Sequence, residues 1–271
     1  MDLSLASSFD KIASFYDEVR PGYPDEIFDE IEKFVSLTGK SRILEIGAGN
    51  GNATKTIHER WKSKITAIEP GAHLVKILEH KLRDNPDIII INDSFENFTT
   101  DSKYDCIISA TAFHWIDPAI KFKKASAVLR DNGMLILFWN NYTRSDEKVF
   151  DEIREVYSKY HPNHEGLEIR TIIRKKIDER RNEIIESKLF SLLFHKEFIH
   201  TKRFTAEEYV KLLKTYSGNS IKDEQEMSLF YQHIEKVINN NNNTLELPVV
   251  TNLEIAKKNI IVINIELSLI S

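Results

Sequence analysis

Only one cysteine, Cys106, occurs in 271 residues. This excludes an intrachain disulfide and a thiolate metal cluster, and within the apolar run DCIIS the residue reads as core filling. Long apolar stretches are also missing: no segment approaches the ~20 residues a helix needs to cross a bilayer. The opening MDLSLASSFDKIASFYDEV carries acids where a secretory signal has a basic start and then an apolar block, so the expectation is a cytoplasmic protein with no membrane span. Concentrated positive charge is lacking too. A formal net charge of −5 argues against sequence-independent nucleic-acid binding, which needs a basic face to displace counterions. The basic run Arg174–Lys176 and Arg180–Arg181 is interrupted by Asp178 and Glu179 and reads as a solvated helix face. There is no P-loop, His-Glu-x-x-His helix or Ser-His-Asp signature, and His161 and His164 lack acids or cysteines at metal-ligand spacing. The expectation is no metal. Nothing in the sequence sets the oligomeric state.

What is present is an ordinary folded composition, 41% hydrophobic and 29% charged. Apolar runs at Arg42–Ile46, Lys64–Ile68, Ile88–Ile91, Asp105–Ser109 and Met134–Trp139 read as strands. Helical periodicity falls at Asn52–Trp61, Ala72–Leu82 and Pro118–Arg130. Strands alternating with helices imply parallel pairing with right-handed crossovers, and the near-continuous apolar character of the runs suits strands covered on both faces. Phe198–Phe204 and Leu245–Ala256 would complete seven strands, with Pro248 marking an edge or a bulge in the last. Thr205 with Glu208 forms a capping box for a helix over Ala206–Lys214. Asp223–Ile238 reads as another helix, and Asn239–Asn243 as a low-complexity loop.

The fold expected is a doubly wound, mostly parallel, seven-stranded Rossmann-like α/β sheet with a helical insertion after strand five. Its divisions are an N-terminal segment (1–40), the core (41–140), a helical insertion (141–194), the rest of the core (195–258) and a tail (259–271). The apolar tail, NIIVINIELSLIS, suits either another strand or an exposed end.

Chemistry concentrates at Ile43–Ile57, ILEIGAGNGNATKTI, a strand, a glycine-rich turn and a helix. Gly47, Gly49 and Gly51 allow positive φ and a close approach of ligand to backbone. A dinucleotide fingerprint spaces its glycines G-x-G-x-x-G; here the third comes one residue early, which argues against a nicotinamide oxidoreductase. Glu45 precedes the first glycine by two residues. Glu69 closes the second strand, where a doubly wound nucleoside site needs an acceptor for ribose hydroxyls. Asn92-Asp93-Ser94-Phe95 follows the third strand, and Ala110-Thr111-Ala112-Phe113-His114-Trp115 the fourth. A histidine there has a pKa suited to proton removal near neutrality, or it starts a helix bonded to backbone; both readings stand.

The stretch from Glu45 to Gly51 resembles motif I of class I S-adenosylmethionine-dependent methyltransferases, E/D-x-G-x-G-x-G, at every defined position. The resemblance implies that the loop backbone holds the methionyl end of S-adenosyl-L-methionine, that Glu45 orients its ammonium, and that Glu69 binds both ribose hydroxyls. It further implies that Asp93, Ser94 and Phe95 lie at the adenine, with Asp93 accepting from its amino group. The A-F-H-W segment ending in His114-Trp115 is similar to small-molecule methyltransferases of the methyltransferase type 11, trans-aconitate methyltransferase-like subgroup. It implies a role for His114 as substrate binder or general base. The lead segment Phe9-Asp10, Ala13, Tyr16-Asp17 and Arg20-Pro21-Gly22-Tyr23-Pro24 resembles the cofactor-capping segment of that subgroup, through Tyr16, Arg20 and Tyr23. Thr215-Tyr216-Ser217 resembles the T-Y-S end of its R-x-x-T…T-Y-S pattern, with Arg203 and Thr205 one residue closer together than that pattern has them. The likeness runs from Phe9 to about Lys258 and is thin between Asn141 and Phe194. The function expected is in-line methyl transfer to a small molecule, a carboxylate or a hydroxyl. A non-catalytic S-adenosylmethionine-binding module, and an enzyme acting on RNA or protein, are the alternatives.

Overall fold

The computed structural model describes residues 22–145, 147–161, 167–215 and 224–260. Its strands are β1 (Arg42–Ile46), β2 (Lys64–Ile68), β3 (Ile88–Ile91), β4 (Tyr104–Ala110), β5 (Leu129–Tyr142), β6 (Phe190–Thr205) and β7 (Thr244–Lys258). They form one sheet in the order β3-β2-β1-β4-β5-β7-β6. The first five are parallel, and β7 runs antiparallel between β5 and β6. The expected mostly parallel, seven-stranded α/β sheet is the observed one. Strand order reverses between β1 and β4, and ligands of open α/β sheets bind outside the carboxyl ends of the strands at such a point.

The helices among the described residues are α1 (Asp25–Phe34), α2 (Asn52–Trp61), α3 (Ala72–Leu82), α4 (Lys121–Val128), α5 (Lys148–Tyr160), α6 (Arg170–Glu186), α7 (Ala206–Lys214) and α8 (Glu224–Asn240). On one sheet face, Ile27, Phe28 and Ile31 of α1 and Ile57 and Trp61 of α2 pack with Ile43, Ile136 and Phe138. On the other, Phe122 of α4 and Ile184 of α6 pack with Leu44, Leu135 and Trp139. Fully burying a large apolar side chain is worth ~1.5–3 kcal/mol, so two covered faces explain why these runs are apolar throughout.

A third cluster stands apart, joining Phe150 and Ile153 of α5, Tyr209 and Leu213 of α7, and Phe230 and Ile234 of α8 to Phe204, Leu245 and Leu247. Pairing of β7 to β5 ends at Tyr142↔Val249, whereas its pairing to β6 continues to Thr205↔Thr244. The β6–β7 ribbon therefore runs past the carboxyl end of β5 and carries these helices there. The charged middle of the chain is thus divided: α5 joins this cluster, while α6 lies against the sheet through Ile173 and Ile177 on Val250 and through Ile184.

Several boundaries differ from the sequence expectation. The helix expected to reach Arg130 ends at Val128, since Asn132 takes φ +63 inside the start of β5. β6 begins eight residues earlier than its apolar segment suggested, because backbone pairing with β7 sustains it through Lys196 and Glu197. Pro248 stands where β7 is locally an edge, as its sequence position suggested. It pairs with Thr201 of β6 just where β5 has ended, so its missing N–H costs no ladder bond. Asn242 and Asn243 turn at φ +69 and +59 into β7, a conformation that asparagine tolerates. The Thr205/Glu208 capping box is present, with Glu208 N donating to Thr205 Oγ1 (3.2 Å) and Thr205 N to Glu208 Oε2 (2.8 Å). No helix among the described residues is long and apolar enough to cross a membrane.

Candidate cofactor cleft and strand-end recess

Gly47, Gly49 and Gly51 turn the chain from β1 into α2 at φ +73, +60 and +87. A Cβ on Gly47 would lie 2.2 Å from Ala112 Cβ, and one on Gly51 2.5 Å from Leu78 Cδ1. Those two glycines let the loop nest against its neighbours. Gly49 differs: a Cβ there would meet nothing within 4 Å, so its bare backbone faces open space.

The loop is held from β2. Gly47 N and Ala48 N donate to Ile68 O (2.9 and 3.0 Å). Gly49 N donates to Glu69 Oε2 (2.9 Å) and Gly71 N to Glu69 Oε1 (2.8 Å). Asn92 Nδ2 in turn donates to Glu69 O (2.9 Å) and Pro70 O (3.1 Å), fixing the turn that carries Glu69.

Between the ends of β1, β2 and β4 opens a cleft of about 770 Å³, walled by Gly47, Gly49, Glu69, Ser94, Phe95 and Trp115 among others. A second hollow of about 490 Å³ shares Gly47, Gly49 and Thr111 with it and adds Tyr23, Asn140 and Tyr142. Asp93 does not line either space. Its Oδ1 accepts from Ser94 N (2.7 Å) and Asn97 Nδ2 (3.1 Å), shaping the loop that presents Ser94 and Phe95. Tyr16 and Arg20 lie outside the described residues, as do Tyr216 and Ser217.

Glu45 is buried under the loop at 1% exposure, and neither carboxyl oxygen has a hydrogen-bond partner among the described residues. Burial pushes its carboxyl up to about 8. The nearby Thr54 hydroxyl pulls part of the way back, without hydrogen-bond geometry, and the charge of Glu69 adds to the rise. A buried carboxyl without a partner is costly unless something cationic completes it.

The end of β4 holds a conformation that no sequence rule anticipates. Thr111 takes φ +58, uncommon for a β-branched residue and worth ~1–3 kcal/mol of strain. It is held by Thr111 N donating to Phe138 O (2.8 Å), by Asn140 N donating to Thr111 Oγ1 (3.3 Å), and by the Tyr23 hydroxyl 2.9 Å from the same oxygen. The result is that Ala112 sits against Gly47 and the chain enters the short 3-10 turn Phe113–Trp115.

His114 lies on that turn with an accessible edge, its ring among Trp115 (4.8 Å between centroids) and Trp139 (6.5 Å). Trp139 Nε1 donates to His114 Nδ1 (3.0 Å). Loss of solvent, then the charges of Arg180, Lys121 and Lys176, push its pKa down to about 4. The ring is therefore neutral near pH 7 with its lone pair engaged, so its proton sits on Nε2 and faces outward as a donor. Arg180 also departs from the sequence reading. It is half-buried rather than part of a solvated face, with its guanidinium 4.8 Å from the Trp139 ring centroid.

Residues 43–133 match the model of a methyltransferase domain. The chain is 32% identical over 153 residues to the probable S-adenosylmethionine-dependent methyltransferase CRG1 of Saccharomyces cerevisiae, covering 55% of this chain and 51% of that one. It is 29% identical over 195 residues to malonyl-[acyl-carrier protein] O-methyltransferase 1 of Ilyobacter polytropus, covering 71% and 69%. The chain spans about half the length of the first curated relatives it matches. The solved structure of a putative type II methyltransferase from Anaeromyxobacter dehalogenans shares the fold, with a TM-score of 0.62 at 16% identity over 88% of this chain and 97% of that one. By its glycine loop and the model that it matches, the stretch 43–133 forms a methyltransferase domain, and S-adenosyl-L-methionine is the cofactor of such a domain.

Proposed function

We propose that the protein transfers a methyl group from S-adenosyl-L-methionine to a small-molecule acceptor. The observation that carries the reading is Glu45, a buried carboxyl without a hydrogen-bond partner among the described residues, beneath a glycine loop that faces an open cleft. A cationic amino group at the loop would complete it. In this assignment the backbone of Gly47–Gly51 cradles the methionyl end, and Glu69 serves the ribose with the oxygens that now accept from Gly49 and Gly71. Ser94 and Phe95 wall the adenine side, and Asp93 acts from the loop that presents them. The cofactor supplies a methyl group activated by a sulfonium charge for in-line displacement. The protein's part is to place an acceptor against that methyl and to exclude water.

On the acceptor side, Trp115 lines the cleft and His114 offers its Nε2–H as a hydrogen-bond donor, so the substrate-binding reading of His114 is preferred to the general-base one. A carboxylate acceptor, already ionised at pH 7, needs no base. The cluster of α5, α7 and α8 beyond the end of β5 acts as a lid over the strand ends. We place the protein in the cytoplasm, a setting consistent with a free, buried Cys106. Release of S-adenosylhomocysteine from S-adenosylmethionine in the presence of a panel of small carboxylic acids and alcohols tests the proposal. Turnover that Glu45→Gln lowers tenfold or more is the expected result. Cofactor binding without turnover on any acceptor would instead support a non-catalytic binding module.

A further inference from the structure

Most cations around helix α6 are paired; among the described residues the exceptions on the helix are Arg170 at its exposed start and the half-buried Arg180. Lys176 meets Glu168, Arg181 meets Asp178, Lys175 meets Glu179, Arg174 meets Glu197, and Lys121 reaches in from α4 to Glu183. Arg180 has no carboxylate within ion-pair distance among the described residues. Glu254, Glu183, Glu168 and Glu179 support its charge only from farther away.

Arg180 is nonetheless firmly placed. Its guanidinium lies over Trp139, and Nη1 donates to Asn141 Oδ1 (3.1 Å). The amide of Asn141 cannot turn away, because its Nδ2 donates to Trp139 O (3.2 Å), Val250 O (3.0 Å) and Asn252 Oδ1 (2.8 Å). Asn252 is held in turn by donating Nδ2 to both oxygens of the buried Glu254 (2.9 and 2.8 Å). Four residues on two strands thus fix a guanidinium that spends one of its five N–H donors on the protein. The same indole of Trp139 donates to His114 Nδ1 and so leaves His114 Nε2–H as a donor. One tryptophan therefore buttresses two donor groups with its face and its N–H, beside the wall of the cleft formed by Trp115.

We propose that Arg180, with His114 Nε2–H beside it, binds a carboxylate of the methyl acceptor, so that a negative charge on the acceptor determines substrate choice. This rests on the methyl-transfer reading above. The site reads charge and planarity, and the bound carboxylate need not be the group that is methylated. A planar guanidinium matches a carboxylate in bidentate geometry. A single cation with a neutral donor, and Glu254 behind it, favours a monoanionic group over a phosphate dianion.

The test uses the full chain saturated with S-adenosylhomocysteine and titrated calorimetrically with succinate, glutarate, tricarballylate, inorganic phosphate and the neutral glutaramide. Wild type, Arg180→Lys and Arg180→Met are compared. The expected result is binding of at least one carboxylate by wild type, tenfold or more weaker in Arg180→Met and intermediate in Arg180→Lys, which keeps the charge but loses the fork. Glutaramide and phosphate should bind more weakly than the best carboxylate, and S-adenosylhomocysteine affinity should stay within twofold in all three proteins. Should Arg180→Met fail to fold, Arg180→Lys still decides between a loss and no change. Equal carboxylate binding in wild type and variants, or no binding of any carboxylate by wild type, overturns the proposal while leaving the cofactor reading intact. Failure of wild type to bind S-adenosylhomocysteine at all would instead strike the methyl-transfer reading.

Discussion

Glu45 shows how one residue links folding to ligand binding. Its carboxyl is ordinary in the unfolded chain, near 4.5, and pushed up to about 8 in the folded protein. Between those values the folded state holds a proton that the unfolded chain has released, so stability falls as pH rises through the window. Burial also raises Glu254 to about 7, and it contributes in the same direction. The comparison with Glu45→Gln isolates the first residue. Thermal denaturation between pH 4.5 and 8 should show a shallower fall for Glu45→Gln than for wild type. Superimposable curves would show that Glu45 does not carry the raised pKa. Among site residues, Glu45, Gly47, Gly49, Gly51 and Glu69 were legible because their roles follow from spacing along one strand–loop–helix unit. Thr111 and Arg180 were not. The positive φ of Thr111 is imposed by Tyr23, Phe138 and Asn140, distant in sequence. The placement of Arg180 over Trp139 is a property of packing that a basic run does not reveal.

At the level of elements, helix α6 is tied to the sheet by a contact unlike the surface ion pairs around it. Lys121 is 3% exposed, lies near the rings of Phe113 and Phe122, and meets Glu183 at 2.7 Å. Removing Glu183 leaves a buried ammonium uncompensated, whereas replacing Lys121 with an apolar chain of similar length removes the charge altogether. Glu183→Ala should therefore destabilise the protein by roughly 2–3 kcal/mol, somewhat below the usual cost of breaking a buried pair because Glu183 is half exposed. Lys121→Met should cost less. Denaturant unfolding of the two variants decides, and the reverse order would mean that the pair contributes net attraction rather than mutual compensation. Elements bounded by capping residues, glycines or prolines were legible, as Asn52–Trp61, Ala72–Leu82 and the Thr205 capping box illustrate. β6 was only half legible, since its charged first half is a strand only through its partner β7.

Over the whole molecule, the parallel core could be read because each of its strands is apolar on both faces. The arrangement of the helices beyond β5 could not, since α5 and the pair α7 and α8 come together from opposite ends of α6 and β6 and share a core only in three dimensions. That cluster stands past the carboxyl end of β5, on the side of the sheet where the cleft opens, and so gives the molecule a parallel floor and a helical roof. Whether the floor binds S-adenosyl-L-methionine is the claim on which the rest depends. Binding of S-adenosylhomocysteine, measured by calorimetry on wild type, Gly49→Val and Glu69→Ala, tests it most directly. At Gly49 a side chain would stand in open cleft on a backbone at φ +60. At Glu69 the substitution removes the acceptor that Gly49 N and Gly71 N share. The account predicts binding by wild type that each change weakens by about 1.4 kcal/mol or more, a tenfold loss. Folded wild-type protein that does not bind, or a Gly49→Val protein that binds as well as wild type, would contradict it.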